Sequence, residues 1–278
     1  MPERLAPLVS VASRPGVGGV ARDRHLVLAN TVAVLDGMSD PDAPPGRDGA
    51  WYASLLGAAL AARVWDTRTD LADVVSEAIE TVAGTYRLTP GVSPSSTLSI
   101  LRWSDEVVEA YALADSPLGV TLRSGDVHVV RDDRPRTVAQ DVVAAQHALL
   151  ADGDSSPAGG DLIARTREEL RSRRNQGGGF WVAEADPQAA YQAVRSRWPA
   201  DEVRDALITS DGAAAAVDRY GLYLDWPALL AAVRVAGVRQ LLKTVTTAES
   251  TERDAQGRPT GAAIEPEADA TAVHVLFR

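Results

Sequence analysis

The amino-acid sequence predicts an α+β fold in which antiparallel sheets are covered by helices. Strand-like segments come first, two amphipathic helices follow, four more strands come next, and further helices and a final strand complete the chain. This order departs from the regular alternation of strand and helix in a doubly wound parallel sheet. The 278 residues contain no internal repeat and no linker long enough to separate two units. We therefore expect one domain over residues 1–278.

The first part of the chain is predicted to form three strands and two helices. The strands, marked by a β-type composition, are residues 8–12, 25–29 and 31–35. Asn30 separates the last two and favours a hairpin. A run of apolar residues at helical spacing begins at Trp51, and Asp70 is placed to cap a second helix.

The remainder of the chain is predicted to alternate between strands and helices. Residues 95–130 contain four strand-like runs separated by short turns of Ser, Asp and Gly, which indicates antiparallel strands. The later elements are helices at 139–150 and 160–173, a strand at 180–184, a helix at 187–197, a strand at 206–209, helices within 225–249 and a last strand at 271–277.

The composition excludes several classes of protein. A formal net charge of −10 and a pI near 4.9 argue against nucleic-acid binding, which requires clustered Lys and Arg. The chain has no cysteine, and this excludes disulfides, thiolate nucleophiles and sulfur-ligated zinc. No segment has the pattern of a signal peptide or a transmembrane helix, so we expect a cytoplasmic location and no membrane partner.

Acidic residues lie at the ends of four predicted strands. They are Asp36 and Asp211, each between an apolar run and a glycine, together with Asp115 and Asp269. A sheet can bring such strand ends into one cleft, and carboxylate oxygens are the ligands that Mg²⁺ and Mn²⁺ prefer. Two ions roughly 3.5–4 Å apart can activate a shared water for attack on a phosphoryl group without any side-chain nucleophile. A single Asp-Gly pair is typical of a turn, so the inference depends on the ordered combination.

Taken in their order along the chain, the motifs resemble those of the metal-dependent type-2C (PPM) serine/threonine protein phosphatases. The chain resembles a divergent, bacterial-type member of that family. The matching segments, spread over nearly the whole chain, are ARDRHLV, VLDGMSD, SSTLSIL, LADSPLGVTLRSG, LITSDG and ADATAVHVLF. The resemblance implies a four-layer αββα sandwich, with two antiparallel sheets packed face to face and helices outside. It also implies two or three Mg²⁺ or Mn²⁺ ions. Asp36 would bridge two ions, Gly37 would add its carbonyl, Asp211 would bind the second ion, and Asp115 would serve a third, weaker one.

Two motifs depart from the family pattern. The first has Arg22-Asp23 where the family has Glu-Asp, so a guanidinium replaces an acid and Asp23 alone carries over to the metal site. In the last motif Ala268 stands where the family has a metal-binding aspartate, and Asp269 or Glu267 is the candidate replacement. Both changes reduce the negative charge that faces the ions.

The arginine with which the family grips substrate phosphate is also displaced. Candidates for this role are Arg14, Arg22 and Arg24. With Asp36 and Asp211 at the catalytic centre, the resemblance implies that metal-activated water hydrolyses phosphoserine or phosphothreonine in a phosphorylated protein substrate. The alternative is a pseudophosphatase, a scaffold that binds a protein partner or phosphoprotein without turnover.

Two further features have alternative interpretations. His25, close to Asp23, is a candidate proton donor to a leaving group, with a surface or packing role as the simpler interpretation. The arginine-rich run at residues 165–176 is typical of a solvated helix face, and it could also dock an acidic or phosphorylated partner.

Overall fold

The structure is a computed structural model that describes residues 6–16, 19, 21–38, 46–151, 159–251 and 269–278. The strands are β1 (Leu8–Arg14), β2 (Arg24–Leu28), β3 (Thr31–Leu35), β4 (Leu98–Trp103), β5 (Val107–Leu113), β6 (Leu118–Leu122), β7 (Val127–Val130), β8 (Val194–Pro199), β9 (Val203–Thr209) and β10 (Ala270–Leu276). The helices are α1 (Gly49–Ala61), α2 (Leu71–Tyr86), α3 (Arg134–Ala151), α4 (Gly159–Ser172), α5 (Asp211–Asp218), α6 (Trp226–Ala236) and α7 (Val238–Thr251), with a short 3₁₀ helix at Pro187–Gln192.

The strands form two five-stranded antiparallel sheets. The first sheet has the order β1-β10-β9-β6-β7, and the second has the order β2-β3-β4-β5-β8. The four strands predicted between residues 95 and 130 are all present, but β4 and β5 belong to the second sheet while β6 and β7 belong to the first. The first and last strands of the chain pair along their whole length, from Leu8 opposite Leu276 to Arg14 opposite Ala270.

Three apolar layers hold the sheets and helices together. Helices α1 and α2 pack on the outer face of the second sheet, and α5, α6 and α7 pack on the outer face of the first. The layer between the sheets includes Val32, Leu101, Ala110, Val120, Ile208 and Val273. Burying an aliphatic side chain of this size contributes about 1.5–3 kcal/mol. The predicted four-layer αββα sandwich is therefore confirmed.

Strand β3 shows why the sequence of this fold contains long apolar runs. Val32 and Val34 contact the opposite sheet, whereas Ala33 and Leu35 contact the α1 and α2 layer. Because successive side chains of a strand point to opposite faces, a strand covered on both faces is mainly apolar, and β3 is apolar from Val32 to Leu35. All five of its residues are buried.

Aspartates cap several of the helices, as the sequence indicates. The carboxylate of Asp48 accepts a hydrogen bond from the N–H of Trp51, and that of Asp70 accepts one from the N–H of Ala72 at 2.8 Å. Each satisfies a backbone donor that the first helical turn leaves unpaired. The predicted role of Asp70 is confirmed.

Two elements differ from the sequence prediction, and one was missed. The helix predicted at 187–197 is a 3₁₀ helix followed by strand β8, because Trp198 and its neighbours pair with β5. The strand predicted at 180–184 is reduced to isolated bridges, one of them between Ala183 and Ser96. Helix α5, built mainly of alanine, begins at Asp211, where the sequence suggested only a strand end.

Ion pairs with a buried carboxylate join neighbouring elements of the described chain. Arg102 on β4 is 1% exposed and binds Glu109 on β5 through Nε at 2.9 Å and Nη2 at 2.6 Å. Arg234 on α6 binds the fully buried Asp205 on β9 at 2.6 Å. Removing one member of such a pair leaves an uncompensated buried charge, which is strongly destabilising. No helix in the described part of the chain combines the length and apolarity needed to cross a bilayer.

Candidate functional site

Three carboxylates from distant parts of the sequence meet at one end of the sandwich. Asp23 precedes β2, Asp36 follows β3 and Asp269 precedes β10. Ligand oxygens of the three side chains lie within 4.8 Å of one another. The pairing of β2 with β3, with Arg24 opposite Leu35, brings Asp23 next to Asp36. The β1–β10 pairing fixes the start of β10, and with it Asp269.

Asp269 is held by the backbone of the first motif. Its Oδ2 accepts hydrogen bonds from the N–H groups of Arg22 and Asp23, each at 2.5 Å. Nη1 of Arg22 lies 3.9 Å from Oδ1 of the same carboxylate. These contacts join residues 247 positions apart in the sequence. Asp269 therefore takes part in the acidic cluster, as the sequence analysis allowed.

Asp23 carries a buried carboxylate without adequate donors. The residue is 5% exposed, and within the described part of the chain neither carboxylate oxygen accepts a hydrogen bond of ordinary geometry. Burial and the negative charge of Asp269 raise the pKa of Asp23 to about 6, although the hydroxyls of Thr271 and Ser210 offset part of this rise. A buried anion without donors is costly unless a cation pairs with it. The site thus has the features of one that holds a metal ion.

Asp36 lies at the centre of the acidic residues. Burial, followed by the charges of Asp23 and Asp211, raises the pKa of Asp36 well above its ordinary value. Its backbone is fixed to the start of β4: the N–H donates to Oγ1 of Thr97 at 3.3 Å, and the carbonyl accepts from the N–H of Thr97 at 2.9 Å. Oγ of Ser96 donates to the same carbonyl at 3.0 Å. The carboxylate therefore projects from a rigid strand end.

Gly37 and Gly49 allow α1 to begin directly against this strand end. A Cβ at Gly37 would lie 2.4 Å from the carbonyl carbon of Gly49, and a Cβ at Gly49 would lie 2.3 Å from the carbonyl oxygen of Met38. Distances this short are incompatible with any side chain, so both positions require glycine. The Asp-Gly pair thus has a packing role here in addition to any role in binding an ion.

Asp211 is the first residue of α5 and is positioned by β9 and β10. The N–H of Ser210 donates to the carbonyl of Thr271 at 3.0 Å, and the N–H of Thr271 donates to Oγ of Ser210 at 2.9 Å. Ser210 is fully buried. This reciprocal bonding continues the sheet to its last residue and holds Asp211 where it interacts with Asp36.

Asp115 follows β5 at a tight turn. Ala114, the residue before it, has φ +67°, in the left-handed region that disfavours residues with a Cβ. The N–H of Ala114 donates to Oδ2 of the buried Asp132 at 3.3 Å. Oγ of Ser116, on the other side, lies 2.5 Å from Oγ1 of Thr97. Sequence reasoning did not identify Asp132 or this hydroxyl pair, because no motif indicates their contacts.

A cavity of about 280 Å³ opens over the acidic residues. Its polar side consists of Arg22, Asp36, Gly37, Thr97, Asp115, Asp211 and Asp269. Its apolar side consists of Met38, Pro135, Ala139, Leu170, Phe180 and Val182, which come mainly from α3, α4 and the segment after α4. Five of the six predicted metal-site residues therefore line one cavity, and Asp23 lies against two of them. The apolar wall was not predicted, since no motif links α3 and α4 to the strand ends.

The structure places the three candidate phosphate-binding arginines differently. Arg22 lines the cavity. Arg14 forms an ion pair with Glu249 on α7, and Arg24 donates through Nε to Oγ of Ser54 at 2.7 Å. Neither of these two is among the described residues that line the cavity. His25 is exposed on β2, and Glu267 and Ala268 lie outside the described residues.

Polar contacts of Glu184 and Arg174 fix the segment after α4, which contributes Phe180 and Val182 to the apolar wall of the cavity. Glu184 is fully buried, and its carboxylate accepts hydrogen bonds from the N–H groups of Gly91 and Ser93 and from Nη1 of Arg174. Burial raises the pKa of Glu184, while these donors partly offset the rise. Arg174 also donates to Oγ of Ser95, close to Met38. The wall is therefore tied to the strand ends.

Comparison with known proteins identifies similar folds but no close relative. No protein-family model and no curated protein matches the sequence. PppA, a key regulatory component of T6SS in Pseudomonas aeruginosa, is 17% identical and has a TM-score of 0.57, with 99% of each chain covered. The serine/threonine phosphatase PstP/Ppp of Mycobacterium tuberculosis is 18% identical and has a TM-score of 0.59, covering 99% of this chain and 100% of that one.

A third structure contains metal. The catalytic domain of the serine threonine protein phosphatase PstP in complex with two manganese ions is 16% identical and has a TM-score of 0.57, with 97% of each chain covered. The TM-scores and the coverage establish a shared fold over nearly the full length of the chain. At sequence identities this low, the comparison shows the fold alone.

Proposed function

We propose that this chain, which has the fold of the PPM-type serine/threonine phosphatases, hydrolyses phosphate monoesters with the help of Mg²⁺ or Mn²⁺. Phosphoserine or phosphothreonine in a protein is the proposed substrate. The observation that carries the proposal is the cluster of Asp23, Asp36 and Asp269, in which neither oxygen of the buried Asp23 carboxylate accepts a hydrogen bond of ordinary geometry from the described residues. Hard divalent ions prefer oxygen ligands of this kind.

The residues around the cavity have distinct proposed roles. Asp36 is the central ligand, Asp23 and Asp269 complete the carboxylate set around it, and the Gly37 carbonyl adds a neutral oxygen. Asp211 interacts with Asp36 from the start of α5 and is proposed as a further ligand on that side. An ion held there supplies positive charge to the phosphoryl oxygens and makes water a nucleophile at neutral pH. Asp115 lies further along the same cavity and is proposed to serve a weaker ion.

Arg22 is the proposed phosphate-binding residue. Arg22 lines the cavity and carries a positively charged guanidinium. Guanidinium groups bind phosphate oxygens through two parallel N–H donors. Arg14 and Arg24 had the same predicted role, but their side chains bind Glu249 and Ser54. We therefore assign the role to Arg22 alone.

The apolar wall supports a substrate with an apolar portion next to the phosphate. Phe180, Leu170 and Met38 line the same cavity as the carboxylates. Such a wall excludes bulk water from one side of the site, which strengthens electrostatic interactions there. The phosphorylated protein partner and the cytoplasmic location stay predictions from the sequence.

A pseudophosphatase is the second candidate function, and one observation favours it. Oδ2 of Asp269 is occupied by two backbone N–H groups, and its Oδ1 faces the Arg22 guanidinium at 3.9 Å. A cation so close to a ligand reduces the affinity for a divalent ion. In this case the cavity would bind a phosphoprotein or another partner without turnover.

The two functions are separated by an activity measurement. Release of p-nitrophenol from p-nitrophenyl phosphate should require Mn²⁺, stop on chelation and fall by at least about a hundredfold in Asp36→Asn, because a central ligand charge is lost. Asp201→Asn, an exposed change in the β8–β9 turn, is the matched control and should retain activity. Phosphoserine and phosphothreonine peptides then test the substrate class. A well-folded protein without turnover at millimolar Mn²⁺ would support the pseudophosphatase instead.

A further inference from the structure

The position of Arg22 bears on the number of ions that the cavity holds. We infer that the centre binds one divalent ion tightly, and that the Arg22 guanidinium supplies the positive charge that a second ion would otherwise bring. This inference rests on the proposed function, since it assumes that the acidic cavity is a cation site. It concerns the number of ions and the role of one arginine.

The carboxylate geometry suits one ion. Oxygens of Asp23, Asp36 and Asp269 lie within 4.8 Å of one another. Oxygens on opposite sides of one octahedral Mg²⁺ are separated by about 4.2 Å, and adjacent ones by less. The three side chains can therefore surround a single ion after small movements. Asp23 is 5% exposed, and neither of its carboxylate oxygens accepts a hydrogen bond of ordinary geometry from the described residues, which independently points to a cation at this place.

Arg22 already occupies the side of the cluster next to Asp269. Its Nη1 lies 3.9 Å from Oδ1 of Asp269, and its own N–H and that of Asp23 donate to Oδ2 at 2.5 Å. Both oxygens of Asp269 thus face positive or donor groups of the chain. Asp269 can complete the ligand set of one ion, but it has little capacity left for another.

A second ion would be poorly compensated. It would share Asp36 and otherwise depend on Asp115 and Asp211, which line the same cavity as Arg22. Like charges that share one cavity repel, so the Arg22 guanidinium weakens the binding of a second divalent ion there, and the effect grows as the effective dielectric constant of the cavity falls. The first ion meets the same charge, but three converging carboxylates offset it.

This arrangement gives Arg22 a double role. It neutralises part of the acidic cluster when no substrate is bound, and it offers its N–H donors to phosphate oxygens when a monoester enters. A phosphate dianion would then be held between one ion and one guanidinium. Replacing Arg22 should therefore change two properties in opposite directions: the affinity for a second ion rises, and the affinity for phosphate falls.

The test is a count of bound Mn²⁺ by calorimetry, checked by the electron paramagnetic resonance signal of free Mn²⁺. The wild-type protein should bind one ion tightly. Arg22→Met keeps most of the side-chain length without the charge, and it should bind a second ion at least about tenfold more tightly than wild type does. Arg22→Lys should retain one tight site. Arg63→Met removes an arginine that pairs with Glu77 on the helical surface, and this control should resemble wild type.

Inorganic phosphate provides the second measurement. Its affinity for the Mn²⁺-loaded protein should fall by about tenfold or more in Arg22→Met and stay unchanged in Arg63→Met. Two equally tight Mn²⁺ sites in the wild-type protein would overturn the inference, even if Arg22→Met failed to fold. An unchanged ion count and unchanged phosphate affinity in folded Arg22→Met would also overturn it.

The outcomes separate this inference from the proposed function. One tight ion with no turnover of p-nitrophenyl phosphate would refute the phosphatase and leave the inference standing. Two tight ions with Mn²⁺-dependent turnover would refute the inference and leave the phosphatase standing. A protein that binds no Mn²⁺ would contradict both.

Discussion

Replacing Asp23 by Asn should stabilise the metal-free protein at neutral pH. The carboxylate is 5% exposed and has no hydrogen-bond donor of ordinary geometry among the described residues, so its ionised form is disfavoured in the folded state. Burial and Asp269 raise its pKa from 3.8 to about 6. A rise of roughly two units in the pKa corresponds to about 3 kcal/mol of lost stability at a pH where the carboxyl group is ionised in both the folded and the unfolded state. Asn removes the charge and keeps the shape.

The pH dependence has a defined sign. Because the folded state holds this proton more tightly than the unfolded state, the free energy of unfolding falls as the pH rises from about 4 to about 6. Wild type and Asp23→Asn should therefore have similar stability below about pH 3.5, and the variant should be more stable by up to about 3 kcal/mol above pH 6. For a domain somewhat smaller than this one, that difference corresponds to roughly 6–12 °C in the melting temperature.

Urea unfolding in chelator, followed by circular dichroism at several pH values, measures the difference. Asp201→Asn is the matched control, and its exposed position predicts a change within about 0.5 kcal/mol at every pH. With Mn²⁺ at a hundred times its dissociation constant, wild type should gain about 2.7 kcal/mol and the variant less. An Asp23→Asn protein that is less stable than wild type at pH 7 without metal, or a difference that does not vary with pH, would refute the reasoning.

Three further substitutions test the packing around the site, each by urea unfolding. Ala114→Gly should stabilise the protein by about 0.5–1 kcal/mol, because φ at this position is +67°. Gly37→Ala should destabilise the protein by about 3 kcal/mol or more, because the new Cβ would lie 2.4 Å from the carbonyl carbon of Gly49. Gly57→Ala, inside α1, should instead stabilise the protein by about 0.5–1 kcal/mol, because the new Cβ would lie 3.8 Å from the nearest atom, Cδ1 of Leu35. Arg234→Met should cost about 1–3 kcal/mol, because the buried Asp205 loses its closest donor while Arg204 stays 3.6 Å from its carboxylate.

These substitutions also have defined contrary results. A destabilised Ala114→Gly would show that the turn before Asp115 is not strained. A Gly37→Ala protein as stable as Gly57→Ala would remove the argument that α1 packs backbone to backbone against the strand end. An Arg234→Met cost below about 1 kcal/mol, the range of an exposed pair, would show that Asp205 does not depend on Arg234 as a partner.

The sequence predicted the layers and most of the acidic residues that line the cavity, because both follow from local patterns. An apolar run that ends in Asp-Gly identified β3 and Asp36 together, and the same pattern identified β9 and Asp211. The spacing of such runs also gave the order of strands and helices. These features depend on residues that are neighbours in the chain, and the periodicity of a single strand or helix is sufficient to recognise them.

The parts that were wrong or missing depend on contacts between distant segments. The segment after Pro187 had the composition of a helix, but pairing with β5 made its second half strand β8. The apolar wall over the carboxylates comes from α3, α4 and Phe180, and no local pattern indicates where these fold. The choice among the three arginines likewise depended on which of them finds a partner elsewhere, such as Glu249 for Arg14.

Crystals soaked in Mn²⁺ and measured at the manganese absorption edge provide the most direct test that these distant strand ends form a divalent-ion site. We expect one strong anomalous peak, about 2.1–2.5 Å from carboxylate oxygens of Asp36 and surrounded by Asp23 and Asp269. Absence of a peak at saturating Mn²⁺, or a peak bound only to other residues, would contradict it.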